Sequence, residues 1–426
     1  MKPNEIALKL LFTWFCIANI LTAFLVWAFS FKSVVIYAIK DAPYYIVFCY
    51  ALFIWFVSSP LTLKRHIIPV AFGLTYLISN FVMTPVEMVS FAAAMRQLAG
   101  FFIVFYASRS MSRDVTLNKF ISYIQIIAVV VIVLCWVELF FGLWKMELIR
   151  IYFETKSIGI VESGYPFHFI EPLKEPLITL IGKQSLVRAT SIFLDPINLG
   201  HMLVFWIVTA WFYGVPRTAW LRYTFIVVCG ITLLLTFSKG AWLQLALCLG
   251  IFNHRLSHRV RLIALMCIIA VFTLGFMFLP GGLVHFIGLV NGLQTGGLVG
   301  KGLGMVGNYA IMLDPSLDPD IGDSFWGSLI GQIGWLGMFF YIWALSAIYR
   351  QLPKGSILRA LLISQSLVAI LSENAFNVSS IFGIAMACAI ESYSQKRVRH
   401  ISQKSEVRVM LKGHTDLQQY ISNGVV

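Results

Sequence analysis

Long apolar runs separated by short polar segments dominate the chain. Twelve of these runs are candidates to cross the roughly 30 Å hydrocarbon core of a bilayer as helices, the eighth and the last being short. Their bounds are about 10–30, 43–59, 67–84, 89–106, 119–144, 192–213, 222–237, 240–253, 259–279, 325–349, 357–372 and 378–392. The pattern predicts an all-α, polytopic membrane protein with about twelve transmembrane helices.

The composition agrees with this pattern. The 426 residues are 59% hydrophobic and only 12% charged, and the mean hydropathy is +0.83, far outside the usage of soluble domains. No long polar stretch predicts a soluble domain, so we expect a single transmembrane domain over residues 1–400 and a cytoplasmic tail over 401–426. The first apolar run is too long for a secretory signal peptide and lacks a small-residue cleavage site, so we interpret it as the first span.

Lys and Arg are unevenly divided between the two sides of the predicted membrane. Alternating the loops puts 21 of them with the two termini and ten on the opposite side. Because cytoplasmic loops are enriched in Lys and Arg, both termini are predicted to be cytoplasmic. The net charge of +13 is spread over short loops, which indicates membrane orientation and not a nucleic-acid partner. Neither the cysteines nor the histidines form a metal-binding motif, so no cofactor is expected.

Two predicted outer loops are unusually long, at about 145–191 and 280–324. The first mixes basic and aromatic residues, which predicts a helix lying on the membrane surface. The second is rich in glycine and ends in an acidic stretch. Loops of this length usually have a function, and basic residues on the side that should lack them indicate an anionic ligand there. No pair of broken spans, of the kind found in many transporters, is evident.

Three segments on that side join polar or charged residues to the start of an apolar run: RATSIFLDP at 188–196, TFSKGAW at 236–242 and GDSFWGSLIGQIGWLG at 322–337. In the first, Asp195 is suited to cap a helix that Pro196 begins, and Arg188 precedes the helix at headgroup level. In the second, Ser238 and Lys239 lie at another helix start. If both lie on one side of the membrane, they can hold one anion together.

In this order and spacing, the three segments resemble the O-antigen polymerase and O-antigen ligase superfamily, over roughly residues 185–340. The resemblance implies a GT-C-like fold and a metal-independent glycosyltransferase that acts on sugars carried by undecaprenyl diphosphate, at the periplasmic face of the bacterial inner membrane. Ligases of the superfamily commonly use a histidine near the end of the large loop, where this sequence has Asp323. That departure favours a polymerase, which joins lipid-linked repeat units into an O-antigen, capsule or exopolysaccharide.

Arg188 is our first candidate for diphosphate binding, because a guanidinium makes paired hydrogen bonds to phosphate oxygens and stays charged. Lys239 stands where the superfamily usually carries arginine, and it keeps the charge without the planar fork. The alternative for both is an ordinary interfacial anchor, which for Lys239 is weakened because a helix start is the unfavourable end for a cation. Lys183 and Lys301 are supporting phosphate contacts or are simply solvated.

Two residues are candidates for the general base that takes the proton from the acceptor hydroxyl. Asp323 lies just before the apolar run at 325–349, and its alternative role is a plain helix cap. His285 lies in the second long loop, and its alternative role is that of an interfacial histidine. GLGMVG at 302–307 follows no predicted strand, so we interpret it as a tight turn or a lid and not as a nucleotide-binding motif.

Five further residues are candidates for acceptor binding or support. Ser238 accompanies Lys239, and Asp195 is mainly expected as a helix cap. Glu373 and Asn374 lie between the last two spans on the outer side, where they can complete an acceptor pocket. Arg96 lies inside the fourth span, where a cation requires a partner or an aqueous cavity.

The expected partners are the lipid-linked glycan donor and acceptor, membrane lipids and a chain-length regulator. Two alternatives stay open. An O-antigen ligase transfers the glycan to lipid A core instead of to a second lipid-linked glycan. A lipid-linked sugar flippase or transporter is also all-helical, but it predicts charges along a path through the membrane, whereas here they gather at one face.

Overall fold

The computed structural model describes residues 3–29, 39–40, 42–43, 45–50, 53, 68–83, 88–141, 148, 151, 169–170, 186–253, 256–278, 282–307 and 324–395. Its helices are α1 (Pro3–Phe29), α2 (Ile68–Met83), α3 (Met88–Met111), α4 (Leu117–Phe141), α5 (Pro196–Tyr213), α6 (Ala219–Leu235), α7 (Lys239–Ala246), α8 (His258–Phe278), α9 (Gly282–Thr295), α10 (Phe325–Tyr349), α11 (Ile357–Val368) and α12 (residues 378–395). A π-helical turn, Leu247–Ile251, extends α7, and short 3-10 turns cover Ser112–Asp114, Ser191–Phe193 and Glu373–Phe376.

Five helices of the described chain are long and apolar enough to cross a membrane: α1, α3 over Ser90–Met111, α4, α5 and α10. Three shorter apolar helices are α6, α7 with its π-helical extension, and α11. α2, α8 and α12 occupy other runs that the hydropathy pattern predicts as spans, and the predicted run at 43–59 lies largely outside the described residues. The chain is therefore a helical, membrane-embedded protein.

Helix α5 lies at the centre of the bundle. Every residue from Asn198 to Ala210 is buried, and the helix contacts α4, α6, α7 and α11. The helix carries the polar side chains of Asn198, His201 and Thr209, which are fully buried, and polar side chains of a spanning helix favour the interior of the bundle over lipid. α6 returns beside α5 after a short turn and exposes the apolar side chains of Val227, Ile231 and Leu234, which suits contact with lipid. The start of α5 and the end of α6 therefore lie at the same end of the bundle.

The second predicted outer loop is not simply a loop, since it contains α9. Helices α9 and α10 pack side by side and run in the same direction. The contacts are between Gly292 and Gly327, between Gly296 and Ile330, and between Gly300 and Gln332. The chain then turns back, and Gly307 lies against Ser328 near the start of α10. Residues 282–307 thus enter the bundle and return to the same end, as a re-entrant segment.

Helix α10 is interrupted at Gly334, which has φ 67° and ψ −174°. This conformation is open to glycine but strained for other residues. The backbone groups released by the break are paired by the re-entrant segment: the N–H groups of Trp335 and Leu336 donate to the carbonyls of Gly297 and Leu298, both at 3.1 Å. Unpaired backbone groups are costly inside a membrane. The re-entrant segment therefore stabilises the break in α10 by pairing these groups. The apolar span predicted at 325–349 is confirmed, but the hydropathy pattern did not predict the break within it.

The first predicted outer loop contributes two short strands, β1 (Phe169–Ile170) and β2 (Leu186–Val187). They pair antiparallel, with Phe169 opposite Val187, so the all-α class has this small exception. Most of the expected surface helix lies outside the described residues. Strand β2 leads directly into Arg188 and the first of the three sequence motifs.

Candidate anion-binding site

The first two motifs meet at one end of the bundle. The backbone N–H of Ala189 donates to the carbonyl oxygen of Leu235 at 2.9 Å. The side chain of Arg188 donates from Nε to the carbonyl oxygen of Thr236 at 2.8 Å, and from Nη2 to that of Phe237 at 3.4 Å. The structure therefore brings Arg188 to the junction between α6 and α7, immediately before Ser238 and Lys239.

Both motifs contain unusual backbone conformations. Ser191, Leu194 and Phe237 have φ values of 49°, 53° and 48°. Within the described parts of the chain they are the non-glycine residues with positive φ. Such conformations cost about 1–3 kcal/mol each and persist where the surroundings enforce them, often at functional sites. The loop from 188 to 195 and the junction at 237 are thus held in strained shapes next to one another.

Glu138, near the end of α4, holds the strained loop. Its Oε1 accepts a hydrogen bond from the hydroxyl of Thr190 at 2.5 Å, and its Oε2 accepts one from the backbone N–H of Ser191 at 2.6 Å. The loop is also bonded to α1, where Asn19 donates to the carbonyl oxygen of Phe193 at 2.8 Å. Sequence reasoning missed Glu138, although a carboxylate within the apolar stretch CWVELFF is costly and so indicates a role.

Asp195 caps α5, as the sequence predicts. Its Oδ1 accepts from the N–H of Ile197 at 2.8 Å, and its Oδ2 accepts from the side-chain amide of Asn198 at 3.0 Å. Asp195 also affects Arg188: burial lowers the pKa of the partly buried guanidinium from its ordinary value, and the negative charge of Asp195 opposes this effect. The carboxylate therefore supports the first turn of α5 and helps to keep Arg188 charged.

Helix α7 begins beside this pair. Ser238 is its N-cap residue, and its side chain makes no capping hydrogen bond. Lys239 is the first helical residue and is exposed. α5 approaches closely because Gly200 has no side chain: a Cβ there would lie 2.9 Å from the Cβ atoms of both Ser238 and Ala241. The N–H groups and positive dipole end of α7 favour an anion at this position, and the Lys239 ammonium adds to the attraction.

A histidine that sequence reasoning did not assign lies beneath the start of α7. His201 on α5 is fully buried, and its Nδ1 is 2.7 Å from Oε1 of Gln244 on α7. The other ring nitrogen of His201 and the side-chain nitrogen of Gln244 are buried without hydrogen-bond partners. The His201 ring lies next to Gly240, with its Cε1 3.9 Å from the position of a Cβ on that glycine. The His201–Gln244 pair thus ties α5 to α7 next to Gly240.

Glu373 lies in a second polar cluster at the same end of the bundle. It is buried, and its Oε1 accepts from the side-chain amide of Gln97 at 2.9 Å. Gly307 of the re-entrant segment approaches so closely that a Cβ there would lie 2.7 Å from that same oxygen. Arg96, the neighbour of Gln97 on α3, is also buried, and Asn374 is partly buried.

The two clusters adjoin each other. A Cβ on Gly240 would lie 3.8 Å from the Cβ of Ser372, next to Glu373. On the other side, the hydroxyl of Ser380 donates to Oδ1 of Asn198 at 2.6 Å, which links α12 to the Asp195 cap. Candidates from three separate parts of the sequence, around residues 190, 240 and 375, are therefore close in space.

The remaining candidates lie outside the described residues or in the re-entrant segment. Asp323 and Lys183 lie outside the described residues. Ser324 caps α10, because its hydroxyl accepts from the N–H of Gly327 at 3.1 Å, so the cap role that the sequence offered to Asp323 belongs to Ser324. His285 lies on α9, whose contacts with α10 are near that cap. Lys301 is exposed, and its backbone N–H donates to the carbonyl oxygen of Gly331 at 2.8 Å, which puts it in the re-entrant segment.

The fold and these contacts define a helical membrane protein with a partly buried basic cluster at one end of its bundle. Within the described residues, no group of three or more His, Cys, Asp or Glu side chains is arranged to hold a metal ion. In comparisons with known proteins, no protein-family model and no curated protein sequence matches the chain.

Proposed function

We propose that this protein is a metal-independent glycosyltransferase that polymerises undecaprenyl-diphosphate-linked repeat units into a surface polysaccharide. The proposal assigns it to the periplasmic face of the bacterial inner membrane, with both termini cytoplasmic. The excess of Lys and Arg on the side of the termini supports this orientation. The resemblance of the three motifs to the O-antigen polymerase and O-antigen ligase superfamily supports the substrate class.

One observation carries the proposal: Arg188 is bonded to Thr236 and Phe237 at the start of α7, beside the exposed Lys239. A diphosphate has two charged groups, and this corner of the bundle offers two sources of positive charge, the guanidinium and the α7 start with its lysine. The carbonyls that accept from Arg188 fix the guanidinium in advance of binding. Pre-positioned positive charge stabilises the negative charge that develops on a departing diphosphate.

In the proposed reaction the lipid-linked donor approaches from the bilayer, and its diphosphate binds at Arg188 and Lys239. A hydroxyl of the acceptor glycan attacks the anomeric carbon of the donor and loses its proton to Asp323 or His285. The bond from the anomeric carbon to the phosphate oxygen breaks, and undecaprenyl diphosphate leaves with the electron pair. Glu373, Asn374 and the neighbouring Arg96 contribute to the acceptor pocket. Lys183 and Lys301 are assigned at most a supporting role.

A ligase differs from this polymerase only in its acceptor, which is lipid A core. A lipid-linked sugar flippase is the second candidate, and a specific observation favours it: the break at Gly334 and the re-entrant segment resemble the discontinuous helices at transporter binding sites. A flippase moves the lipid-linked unit without lengthening it. The two candidates therefore differ in whether complemented cells contain longer glycan.

The test is complementation of cells that lack the endogenous protein, at matched membrane levels. We expect the wild type to restore long polymer and the Arg188→Ala and Lys239→Ala variants to leave single repeat units on the lipid, on the periplasmic side. Arg217→Ala is the matched control, because Arg217 is exposed in the turn after α5, at the opposite end of the bundle. Repeat units trapped on the cytoplasmic side would indicate a flippase, and activity of all variants would refute the site.

A further inference from the structure

We propose that Glu138 is a positioning residue for the diphosphate site, acting through the strained loop that carries Arg188. This inference rests on the proposed function, since it concerns how the same site is held. Glu138 is the last charged residue of α4, and both of its carboxylate oxygens are bonded to that loop. The preceding residue of the loop, Ala189, is bonded instead to α6, through the carbonyl of Leu235.

The loop is fixed at two consecutive points. Residues Arg188 and Ala189 are hydrogen-bonded to the end of α6. The next two residues, Thr190 and Ser191, are hydrogen-bonded to Glu138. Ser191 is fully buried and its φ is positive, so its N–H has no access to water and its backbone is strained. Without the carboxylate, the Ser191 N–H would be left unsatisfied. The strained loop would keep the bonds from Ser191 Oγ to the Val131 carbonyl and from Asn19 to the Phe193 carbonyl, but it would lose two of its anchors, which favours a rearranged loop.

A rearranged loop displaces Arg188, which is two residues from Thr190. The guanidinium directs its donors only as long as its backbone is held, and displacements of about 1 Å in a binding site can cost roughly a hundredfold in rate or affinity. Two substitutions separate this role from proton transfer. Glu138→Gln keeps an acceptor for the Ser191 N–H and presents an amide that the Thr190 hydroxyl can accept from. Glu138→Ala removes both bonds.

The test is the affinity of the purified full chain, in nanodiscs, for undecaprenyl diphosphate. We expect Glu138→Ala and Arg188→Ala each to weaken binding by roughly ten- to a hundredfold, and Glu138→Gln to bind within about threefold of the wild type, because Gln preserves the two bonds. The Glu138→Ala/Arg188→Ala double variant should bind no more weakly than Arg188→Ala, since coupled residues are not additive.

Glu5→Ala is the matched control. Glu5 is also a carboxylate on a spanning helix, and it bonds Lys9 at 2.7 Å. Its end of α1 packs near Tyr123, because the hydroxyls of Thr13 and Tyr123 are 2.5 Å apart, and Tyr123 is about 22 Å along α4 from Glu138. Removing Glu5 should leave the affinity unchanged. If Glu138→Ala fails to fold, Thr190→Val removes one of the two bonds in a milder way and should weaken binding several-fold.

Wild-type affinity of Glu138→Ala, or additive losses in the double variant, would overturn the inference. So would a Glu138→Gln variant as weak as Glu138→Ala, because the charge and not the geometry would then matter. A different result would refute the proposed function: an Arg188→Ala variant that binds undecaprenyl diphosphate as tightly as the wild type.

Discussion

Asp195 offers a sharp test of the site, because its expected role is structural although it adjoins Arg188. The Asp195→Ala substitution removes the cap of α5, which costs about 0.5–2 kcal/mol. It also removes the acceptor of the buried Asn198 side-chain amide, and an unsatisfied buried donor costs about 1–3 kcal/mol. The free energy of unfolding should therefore fall by about 1.5–5 kcal/mol in total.

Asp195→Asn should be much milder. An asparagine oxygen still accepts from the N–H of Ile197. The new amide N–H group would face the amide N–H group of Asn198. Asn198 can avoid this by rotating its amide, because the Ser380 hydroxyl, which donates to Asn198 Oδ1 in the wild type, can also accept a hydrogen bond. We expect a loss below about 1 kcal/mol for this variant, with polymer formation retained, because a cap requires an acceptor and not a carboxylate.

Thermal unfolding in detergent, followed with a thiol-reactive dye, measures both variants. Cys16, Cys135, Cys229, Cys248 and Cys388 are buried and react only when the bundle opens. The alanine variant should unfold several degrees below the wild type and the asparagine variant close to it. If the alanine variant unfolds at the same temperature as the wild type, the stability assigned to the hydrogen bonds of Asp195 is refuted. An asparagine variant that is stable but makes no polymer would show that the site requires the negative charge of Asp195 and not only its cap.

Three further predictions concern close approaches and caps of the helices. The dye assay measures the stability of each variant, and complementation measures polymer length. Gly200→Val should destabilise the protein by about 1–3 kcal/mol and reduce polymer length, because it forces α5 and α7 apart; an unchanged protein would contradict the close approach. Gly334→Ala should cost about 3 kcal/mol or more, because only glycine readily adopts this φ and ψ and a Cβ would clash with the carbonyl oxygen of Leu298; wild-type stability would contradict the break in α10. Ser324→Ala should cost about 1 kcal/mol, whereas Thr218→Ala should have almost no effect, because the Thr218 side chain makes no capping bond; equal effects would contradict the assigned caps.

Much of this arrangement could be predicted from the sequence. The apolar runs marked the helices because a bilayer-spanning segment must be apolar along most of its length. Asp195 followed by Pro196 marked the start of α5, since capping chemistry is local. The proximity of Arg188 to the start of α7 followed from alternating the spans across the membrane, which brings 188 and 239 to the same side.

The break at Gly334 and the re-entrant segment could not be predicted in this way. Hydropathy is averaged over a window of residues, so one residue with a different φ leaves it unchanged. α9 is apolar but only 14 residues long, and its packing depends on glycines of two distant segments meeting. Glu138 was missed for a related reason: its partners, Thr190 and Ser191, are more than 50 residues away, and nothing local marks the pairing.

The parallel packing of α9 and the first part of α10 has an electrostatic consequence. Both helices begin at the same end of the bundle and finish at a similar depth, about 14 Å from the start of α10. Helix carboxyl ends carry partial negative charge, and the second part of α10 brings the partial positive charge of a helix amino end to the same place, so opposite helix ends meet at the break. Lys301 belongs to the turn at this position, where its backbone bonds Gly331. The N–H groups of Lys301 and Gly302 donate to the carbonyls of Gly331 and Gln332, so the turn itself pairs the last carbonyls of the first part of α10 inside the membrane-embedded bundle.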